Sequence, residues 1–224
     1  MNSFWGCVMV MVSLLYSPVP GQAAEALKLP SPSSQGRMSV EEALQKRRTV
    51  RHFAQRGLDL AQVSQMLWGT DGTSDPRGLR TAPSAGATYP LEIYLVVGER
   101  GVAGLKPGLY HYRPASHTLE LTQKDDLRGG VARACLHQTW MAEAPVMVVL
   151  AAEYRRCMAR YGERGIRYTH MEVGHAGQNL FLQAEALGLA CGIVGAFQDR
   201  TLQEILKLPP SREPLLVMPV GYSH

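Results

Sequence analysis

The chain has 224 residues, of which 46% are hydrophobic, and its formal net charge is +4. This length and composition are typical of one globular domain with a substantial core. The charge is too small, and its basic residues too scattered, to indicate a nucleic-acid-binding protein.

The first residues have the pattern of a secretory signal peptide, which we expect to span residues 1–26. An apolar run from Phe4 to Tyr16 is followed by Ala24-Glu25-Ala26, an A-x-A-like cleavage site. The run is short for a membrane span, and no twin-arginine pair precedes it, so the pattern predicts Sec-type export to the periplasm and a mature chain without a membrane span. Because no Lys or Arg precedes the run, two alternatives stay open: an uncleaved anchor, or a cytoplasmic protein that starts at Met38.

The remaining chain is expected to consist of a Pro/Ser-rich extended arm at residues 27–37 and one domain at residues 38–224. A first helix is expected after Ser39, because Ser39 and Glu42 have the spacing of a capping box. Its expected apolar stripe is Val40, Ala43 and Leu44. A second helix is expected from Asp59 to Met66, followed by a loop at residues 69–78.

Apolar runs and alternating segments predict the strands, and apolar residues at three- and four-residue spacing predict the helices. The predicted strands are 91–97, 108–112, 118–121, 145–151, 191–194 and 215–220, with the second and third forming a hairpin. The predicted helices are 131–139, 167–187 and 201–206. Because strands and helices do not alternate strictly, we predict an α+β fold with a mixed central sheet flanked by helices.

The turn Arg47-Arg48-Thr49-Val50-Arg51 is the first candidate binding site. Guanidinium groups are permanently charged and donate forked hydrogen bonds that match phosphate oxygens, and Thr49 adds a hydroxyl. The pattern favours a phosphate monoester as the ligand. The alternative is an ordinary solvated basic helix end.

Two further segments contain small residues that let a backbone approach a flat ligand. The loop before the first long strand contains Pro83, Ser84 and Ala85. Ser84 is not a hydrolase nucleophile, because G-x-S-x-G would need Gly where Ala82 stands. The segment at residues 191–199 lacks G-x-G-x-x-G, which excludes a dinucleotide fingerprint, but its glycines could place N–H groups against a heteroaromatic edge. The loop with Pro83, Ser84 and Ala85 could also be an ordinary loop.

The long predicted helix contains Gly174, Ala176 and Gly177, which are poor helix residues unless another backbone comes close. We therefore expect this helix at a dimer interface. His170 and His175 are five positions apart and fall on different faces, so no zinc site is expected. His175 can be a structural or a catalytic residue. The three cysteines after the expected signal peptide are an odd number without a C-x-x-C pair and are expected to be buried.

Seven collinear motifs resemble the nitroreductase family, and within it the SagB/ThcOx-type branch that contains azoline dehydrogenases. The motifs are RRTVRHF (47–53), PSAGATYPLEIY (83–94), GLYHY (108–112), RYGERGIRY (160–168), EVGHAGQNL (172–180), GLACGIVGAF (188–197) and LLVMPVG (215–221). The resemblance covers about residues 38–221 and implies a homodimer with two FMN sites at the interface.

The resemblance also implies the cofactor-binding residues. Arg47, Arg48, Thr49 and Arg51 would bind the FMN phosphate and ribityl chain, Pro83, Ser84 and Ala85 would line the flavin from the partner subunit, and Val194, Gly195 and Ala196 would approach the ring near N5. The implied activity is an FMN-dependent transfer of electrons from a donor such as NAD(P)H to a small conjugated acceptor.

One position departs from the azoline dehydrogenases of this branch, which are thought to use a Lys-Tyr pair for proton transfer. Here the aligned pair is Arg160-Tyr161, and arginine cannot act as a base. Tyr161 and His175 remain candidate proton donors. The surrounding arginines are expected to form a solvated or partner-facing surface. Azoline-type oxidation and non-catalytic FMN binding or electron carriage therefore stay as alternatives.

Overall fold

The structure is a computed structural model and describes residues 26–224. The apolar run and almost all of the expected signal peptide lie outside the described residues. Within residues 26–224, no helix is both long enough and apolar enough to cross a bilayer.

In the described part of the chain, seven strands form a single sheet in the order β1-β4-β3-β2-β5-β7-β6. The strands are β1 (Ala26–Lys28), β2 (Leu91–Val97), β3 (Gly108–Arg113), β4 (Thr118–Lys124), β5 (Val146–Ala152), β6 (Ala190–Cys191) and β7 (Glu213–Gly221). Neighbouring strands pair antiparallel. Parallel pairing enters through isolated bridges, one of which joins Thr49 to Cys191 at the β6 edge. The first strand comes from the segment expected to be an extended arm, so that arm begins as an edge strand of the sheet.

Helices cover both faces of the sheet. They are α1 (Val40–Lys46), α2 (Leu60–Asp71), α3 (Arg128–Ala134), α4 (Tyr154–Tyr161), α5 (Arg164–Ala186) and α6 (Asp199–Ile205), and short 3₁₀ turns occur at Ala85–Ala87 and Thr139–Glu143. On β2, Ile93 and Leu95 pack with α2 and α5, whereas Tyr94 and Val96 pack with α3 and α6. This two-sided packing explains why β2 is buried throughout. The predicted α+β class is confirmed.

The second helix is longer than predicted and includes residues placed in a loop by the sequence. It begins with a full capping box between Asp59 and Gln62 and continues to Asp71. A Cβ at Gly69 would lie only 2.9 Å from the Gln183 side chain of α5. Gly69 is therefore a helix-packing glycine, and its use as a loop signal was wrong.

Three further differences from the prediction concern the third helix, the arginine-rich segment and the apolar stripe of α1. The third helix spans Arg128–Ala134 instead of 131–139, and the residues after it form the 3₁₀ turn Thr139–Glu143. A separate helix, α4, occupies the arginine-rich segment, where only Cys157 is buried, so no apolar stripe marked it. In α1, Ser39 caps as predicted, but of the expected stripe only Ala43 is buried. Val40 is 64% and Leu44 51% exposed.

Candidate functional site

The basic turn follows α1 and is fixed against the β6 edge of the sheet. Arg47 ends the helix, its N–H donating to the Ala43 carbonyl. Thr49 then forms a parallel bridge with Cys191, and the Val50 N–H donates to the Cys191 carbonyl at 3.0 Å. These backbone contacts join the turn to the segment that follows Cys191, although the two are far apart in sequence.

The arginines of this turn are unequal. The Arg47 guanidinium lies 5.1 Å from the centre of the Phe181 ring, and that of Arg51 lies 5.9 Å from the Trp140 ring. Arg48 donates through Nη1 to the carbonyls of Gln45 and Arg47, each at 2.8 Å. Within residues 26–224, none of the three forms an ion pair. Arg47 and Arg51 therefore offer charged donors without a counter-ion, as a phosphate site requires.

The segment Val194-Gly195-Ala196 lies beyond the same edge of the sheet. Val194 is held by two backbone hydrogen bonds to Val217, each 2.9 Å long. Gly195 and Ala196 follow and are exposed, and their N–H groups donate no hydrogen bond to the described part of the chain. The structure thus combines two uncompensated arginines with two free backbone donors.

The third predicted group, Pro83-Ser84-Ala85, contacts a different part of α5. Glu172 faces Ser84 and Ala85, whereas Phe181 faces the basic turn. These two α5 residues are nine positions apart, about 13 Å along the axis at ~1.5 Å per residue. Within one chain the predicted cofactor residues therefore fall into two groups.

The candidate proton donors Tyr161 and His175 lie in unlike surroundings. Tyr161 packs edge-on against Tyr168, with ring centres 5.2 Å apart. A Cβ at Gly86 would lie 2.5 Å from its Oη, so Tyr161 closely contacts the Ser84 segment. His175 is exposed on α5 and makes no side-chain hydrogen bond within residues 26–224. The structure thus places Tyr161 beside a predicted flavin-lining segment.

A buried ion pair that the sequence did not predict lies next to this segment. Asp71, at the end of α2, is fully buried and binds Arg80 at 2.5 Å. The Arg80 guanidinium also stacks 4.4 Å from the centre of the Tyr89 ring. Burial raises the pKa of Asp71 to about 6, although Arg80 opposes the rise.

Glu172 is a second buried acid, on the inner face of α5. It is 2% exposed, and neither carboxyl oxygen makes a hydrogen bond of normal geometry within residues 26–224. Burial raises its pKa to about 7, with Asp71 adding to the rise and the Ser84 hydroxyl and Arg80 opposing it. The sequence carried a signal for this position, since Glu172, Ala176 and Leu180 repeat every four residues along the buried stripe.

A third buried acid, Glu92, forms a network of ion pairs and hydrogen bonds on the side of β2 that faces away from α5. Its carboxylate contacts His111 at 2.5 Å and also pairs with Arg156. Burial alone would raise the pKa of Glu92, but the His111 hydrogen bond and the charges of Arg156 and Arg212 lower it to about 2. Arg156 also donates to the Tyr89 carbonyl at 2.9 Å, which ties this network to the loop after Ser84.

No group of three or more His, Cys, Asp or Glu side chains with metal-binding geometry occurs within residues 26–224. The three cysteines of this part, Cys135, Cys157 and Cys191, are free and buried, as predicted.

Comparison with known proteins gives a consistent result. A sequence model of the nitroreductase family matches residues 44–222. A Methanocaldococcus jannaschii protein named as a nitroreductase, MJ1384, is 45% identical over 184 residues, covering 82% of this chain and 91% of that protein. The microcin B17-processing protein McbC of Escherichia coli is 26% identical over 67% of this chain and 57% of its own length. The trifolitoxin-processing protein TfxB of Rhizobium leguminosarum is 28% identical over 65% of this chain and 40% of its own length.

Solved structures agree with the fold. The crystal structure of a nitroreductase-like protein from Ralstonia eutropha JMP134 is 26% identical, with a TM-score of 0.76 over 95% of this chain and 96% of that one. A chain of the E. coli microcin synthetase McbBCD complex, at 23% identity, has a TM-score of 0.69 over 94% of this chain and 85% of its own. The similarity to McbC and TfxB agrees with the predicted SagB/ThcOx-type branch.

Proposed function

Because this chain belongs to the nitroreductase family, we propose that it is an FMN-dependent oxidoreductase that passes electrons from a donor such as NAD(P)H to a small conjugated acceptor. The observation that carries the proposal is that the turn with two uncompensated arginines, Arg47 and Arg51, is hydrogen-bonded to Cys191, four residues before the free N–H group of Gly195. A phosphate and a heteroaromatic edge are the two ligand groups that such donors fit.

In this proposal, Arg47 and Arg51 bind the phosphate through charged hydrogen bonds, with Thr49 donating its hydroxyl. The arginine side chains are already positioned by the Phe181 and Trp140 rings, so less side-chain entropy is lost on binding. Arg48 supports the turn through its own backbone contacts. The Gly195 and Ala196 N–H groups stabilise negative charge that develops at the ring. When bound, FMN supplies the hydride chemistry.

The proposed site is completed by a second copy of the chain, which contributes Pro83, Ser84 and Ala85. The separation of the two residue groups along α5 supports this arrangement. So does the exposed side of α5, where Met171 is 52% exposed and a Cβ at Gly174 would meet no atom within 4 Å. Gly174 leaves room on this side for a close helix contact in a homodimer. Ala176 and Gly177, which were also expected to admit a partner backbone, are instead buried within their own chain, where a Cβ at Gly177 would lie 3.3 Å from Leu216.

Purified full-length protein tests the proposal directly. We expect a yellow protein whose flavin absorbance is bleached by NAD(P)H or dithionite and restored by a quinone or nitroaromatic acceptor. A colourless protein that takes up no added FMN contradicts the proposal. Bound flavin that is never reduced, or never passes electrons on, would instead support a non-catalytic carrier.

Azoline-type oxidation is the second candidate, and the similarity to TfxB and McbC favours it. Against it, Arg160 occupies the position expected for the lysine of the Lys-Tyr pair, and its Nη1 donates to the Gly86 carbonyl at 3.2 Å. A guanidinium held in this way positions the loop but cannot accept a proton. Turnover of an azoline-containing peptide, monitored by mass loss of two hydrogens, separates this candidate from the first.

We also propose that the chain is exported and cleaved near Ala26. N-terminal sequencing of the native protein is expected to find a start between Glu25 and Leu27. A start at Met1 or Met38 would contradict export by a cleaved signal peptide.

A further inference from the structure

Glu172 is a buried acid for which the proposed flavin chemistry gives no role. Its carboxyl group is enclosed and makes no hydrogen bond of normal geometry within residues 26–224. The Ser84 hydroxyl and the Ala85 N–H face it from the proposed flavin-lining segment. Asp71 from α2 and Arg80 from the following loop act on its charge.

These groups contain one more acid than base. Arg80 is bound directly by Asp71 at 2.5 Å, and within residues 26–224 Glu172 forms no ion pair of its own. A buried carboxylate without a partner is costly, and protonation removes the cost. Burial accordingly raises the pKa of Glu172 to about 7. Glu172, which faces Ser84, therefore changes charge near neutral pH.

The charge of Glu172 determines the direction in which the Ser84 hydroxyl can donate its hydrogen bond. A serine hydroxyl has one hydrogen to donate and two lone pairs that accept. The Tyr89 N–H already donates to Ser84 Oγ at 2.9 Å. An ionised Glu172 can only accept, so it draws the Ser84 hydrogen towards α5. A neutral Glu172 donates to the second lone pair, which leaves the Ser84 hydrogen for a group on the opposite side.

We infer that Glu172 is a positioning residue that sets the direction of the Ser84 hydroxyl, so that in its neutral form Ser84 donates a hydrogen bond away from α5 and towards the bound flavin. This inference rests on the proposed function, in which Ser84 lines the flavin. Ser84 is half-buried between exposed Pro83 and Gly86, so its outer side is open to a ligand. FMN is then bound more tightly below pH 7 than above it, by about fivefold for one hydrogen bond between neutral groups.

The test measures FMN dissociation constants of the full-length protein from about pH 5 to about pH 9. Wild type is expected to lose affinity through a midpoint near neutral pH. Glu172→Gln keeps an amide that donates to Ser84, so its affinity should stay at the low-pH value throughout. Ser84→Ala should stay at the weaker value throughout. The control Glu163→Gln changes an exposed acid at the start of the same helix and should reproduce wild type. A wild-type pH profile in Glu172→Gln overturns the inference.

A second measurement separates this inference from the proposed function, because it needs no flavin. Two buried carboxylic acids should contribute infrared carbonyl bands in the wild-type apoprotein, since burial raises the pKa of Asp71 to about 6 and that of Glu172 to about 7. Glu172→Gln should remove the component that titrates at the higher pH and leave that of Asp71. In Ser84→Ala the titration should move to higher pH, since the Ser84 hydroxyl lowers the pKa of Glu172. A protein that takes up no FMN refutes the proposed function, whereas the carbonyl titration still decides whether Glu172 and Ser84 are linked. An unmoved titration in Ser84→Ala refutes the Glu172–Ser84 link, even if Glu172→Gln does not fold.

Discussion

The Arg80–Asp71 ion pair is largely buried, with the arginine side chain 16% and the aspartate side chain 0% exposed, so breaking it should destabilise the fold strongly. Arg80→Met leaves Asp71 fully buried without a counter-charge, which should lower the free energy of unfolding by about 3–5 kcal/mol. The loss should be larger at alkaline than at acid pH. In wild type the pKa of Asp71 is already raised to about 6, and it rises further without Arg80. Asp71 is then neutral at acid pH, and the variant loses stability as the pH increases through this raised pKa, because the buried carboxyl group must ionise. Urea denaturation at two pH values measures both effects.

The matched control for this variant is Arg77→Met, which breaks an ion pair with Asp75 whose arginine side chain is 77% exposed. Exposed pairs contribute about 0–1 kcal/mol, so this variant should unfold almost like wild type. Equal losses of unfolding free energy in the two variants would show that the buried Arg80–Asp71 pair stabilises the protein no more than an exposed pair does.

The two uncompensated arginines of the basic turn give a separate prediction. Arg47→Ala together with Arg51→Ala should weaken FMN binding by several kcal/mol, since each charged hydrogen bond contributes roughly 1.5–3 kcal/mol. Equilibrium dialysis measures the change. Arg100→Ala together with Arg133→Ala, which removes two exposed arginines elsewhere, should bind FMN like wild type. Unchanged flavin retention in the first variant would refute the phosphate assignment.

Among the structural elements, the loop from Ser84 to Tyr89 has several residues in the left-handed backbone region. Its φ is +58° at Gly86, +52° at Ala87 and +44° at Tyr89. Such angles cost roughly 1–2 kcal/mol per non-glycine residue, so other contacts must hold the loop. Three arginines do so: Arg156 and Arg160 of α4 bind its carbonyls, and Arg80 stacks on Tyr89.

Gly86→Ala tests how closely this loop and α4 fit together. The new methyl group would lie 2.5 Å from Tyr161 Oη and 2.9 Å from Arg160 Cδ, in addition to the cost of the positive φ. Gly104→Ala has the same backbone cost at φ +80°, but no atom lies within 4 Å. We expect Gly104→Ala to destabilise by about 1 kcal/mol and Gly86→Ala by clearly more, measured by thermal unfolding. Equal destabilisation by the two substitutions would mean that the Tyr161 side chain moves away from the new methyl group at little cost.

At the scale of the whole molecule, the proposed homodimer rests on the exposed stripe of α5. Gly174→Arg places a long charged side chain at its centre and should convert the dimer into a monomer in sedimentation velocity, with loss of bound flavin. Gly129→Arg is the matched control, because it also replaces an exposed helical glycine, on α3. A Gly174→Arg protein that sediments like wild type would place the dimer interface elsewhere.

Much of this molecule could be predicted from its sequence. Burial periodicity and chain punctuation are local, so the buried strand β2, the β3–β4 hairpin, the Ser39 and Asp59 caps and the long helix α5 were all recognisable. The ordered motifs identified the family, which the profile match and the 45% identical relative confirm. The same local signals failed at Gly69, which looked like a loop residue but packs α2 against α5. They also failed in α4, which has only one buried residue, Cys157, and therefore no apolar stripe.

Tertiary structure alone decided which charged groups meet. Asp71, Arg80 and Glu172 come from two helices and a loop, and their pKa values follow from burial and from an unequal number of acids and bases. The distribution of cofactor residues into two groups along α5 is equally a consequence of folding. Local sequence patterns report which side of an element is buried, because that depends on periodicity. They do not report which distant side chain lies opposite, since that contact exists only after the chain has packed.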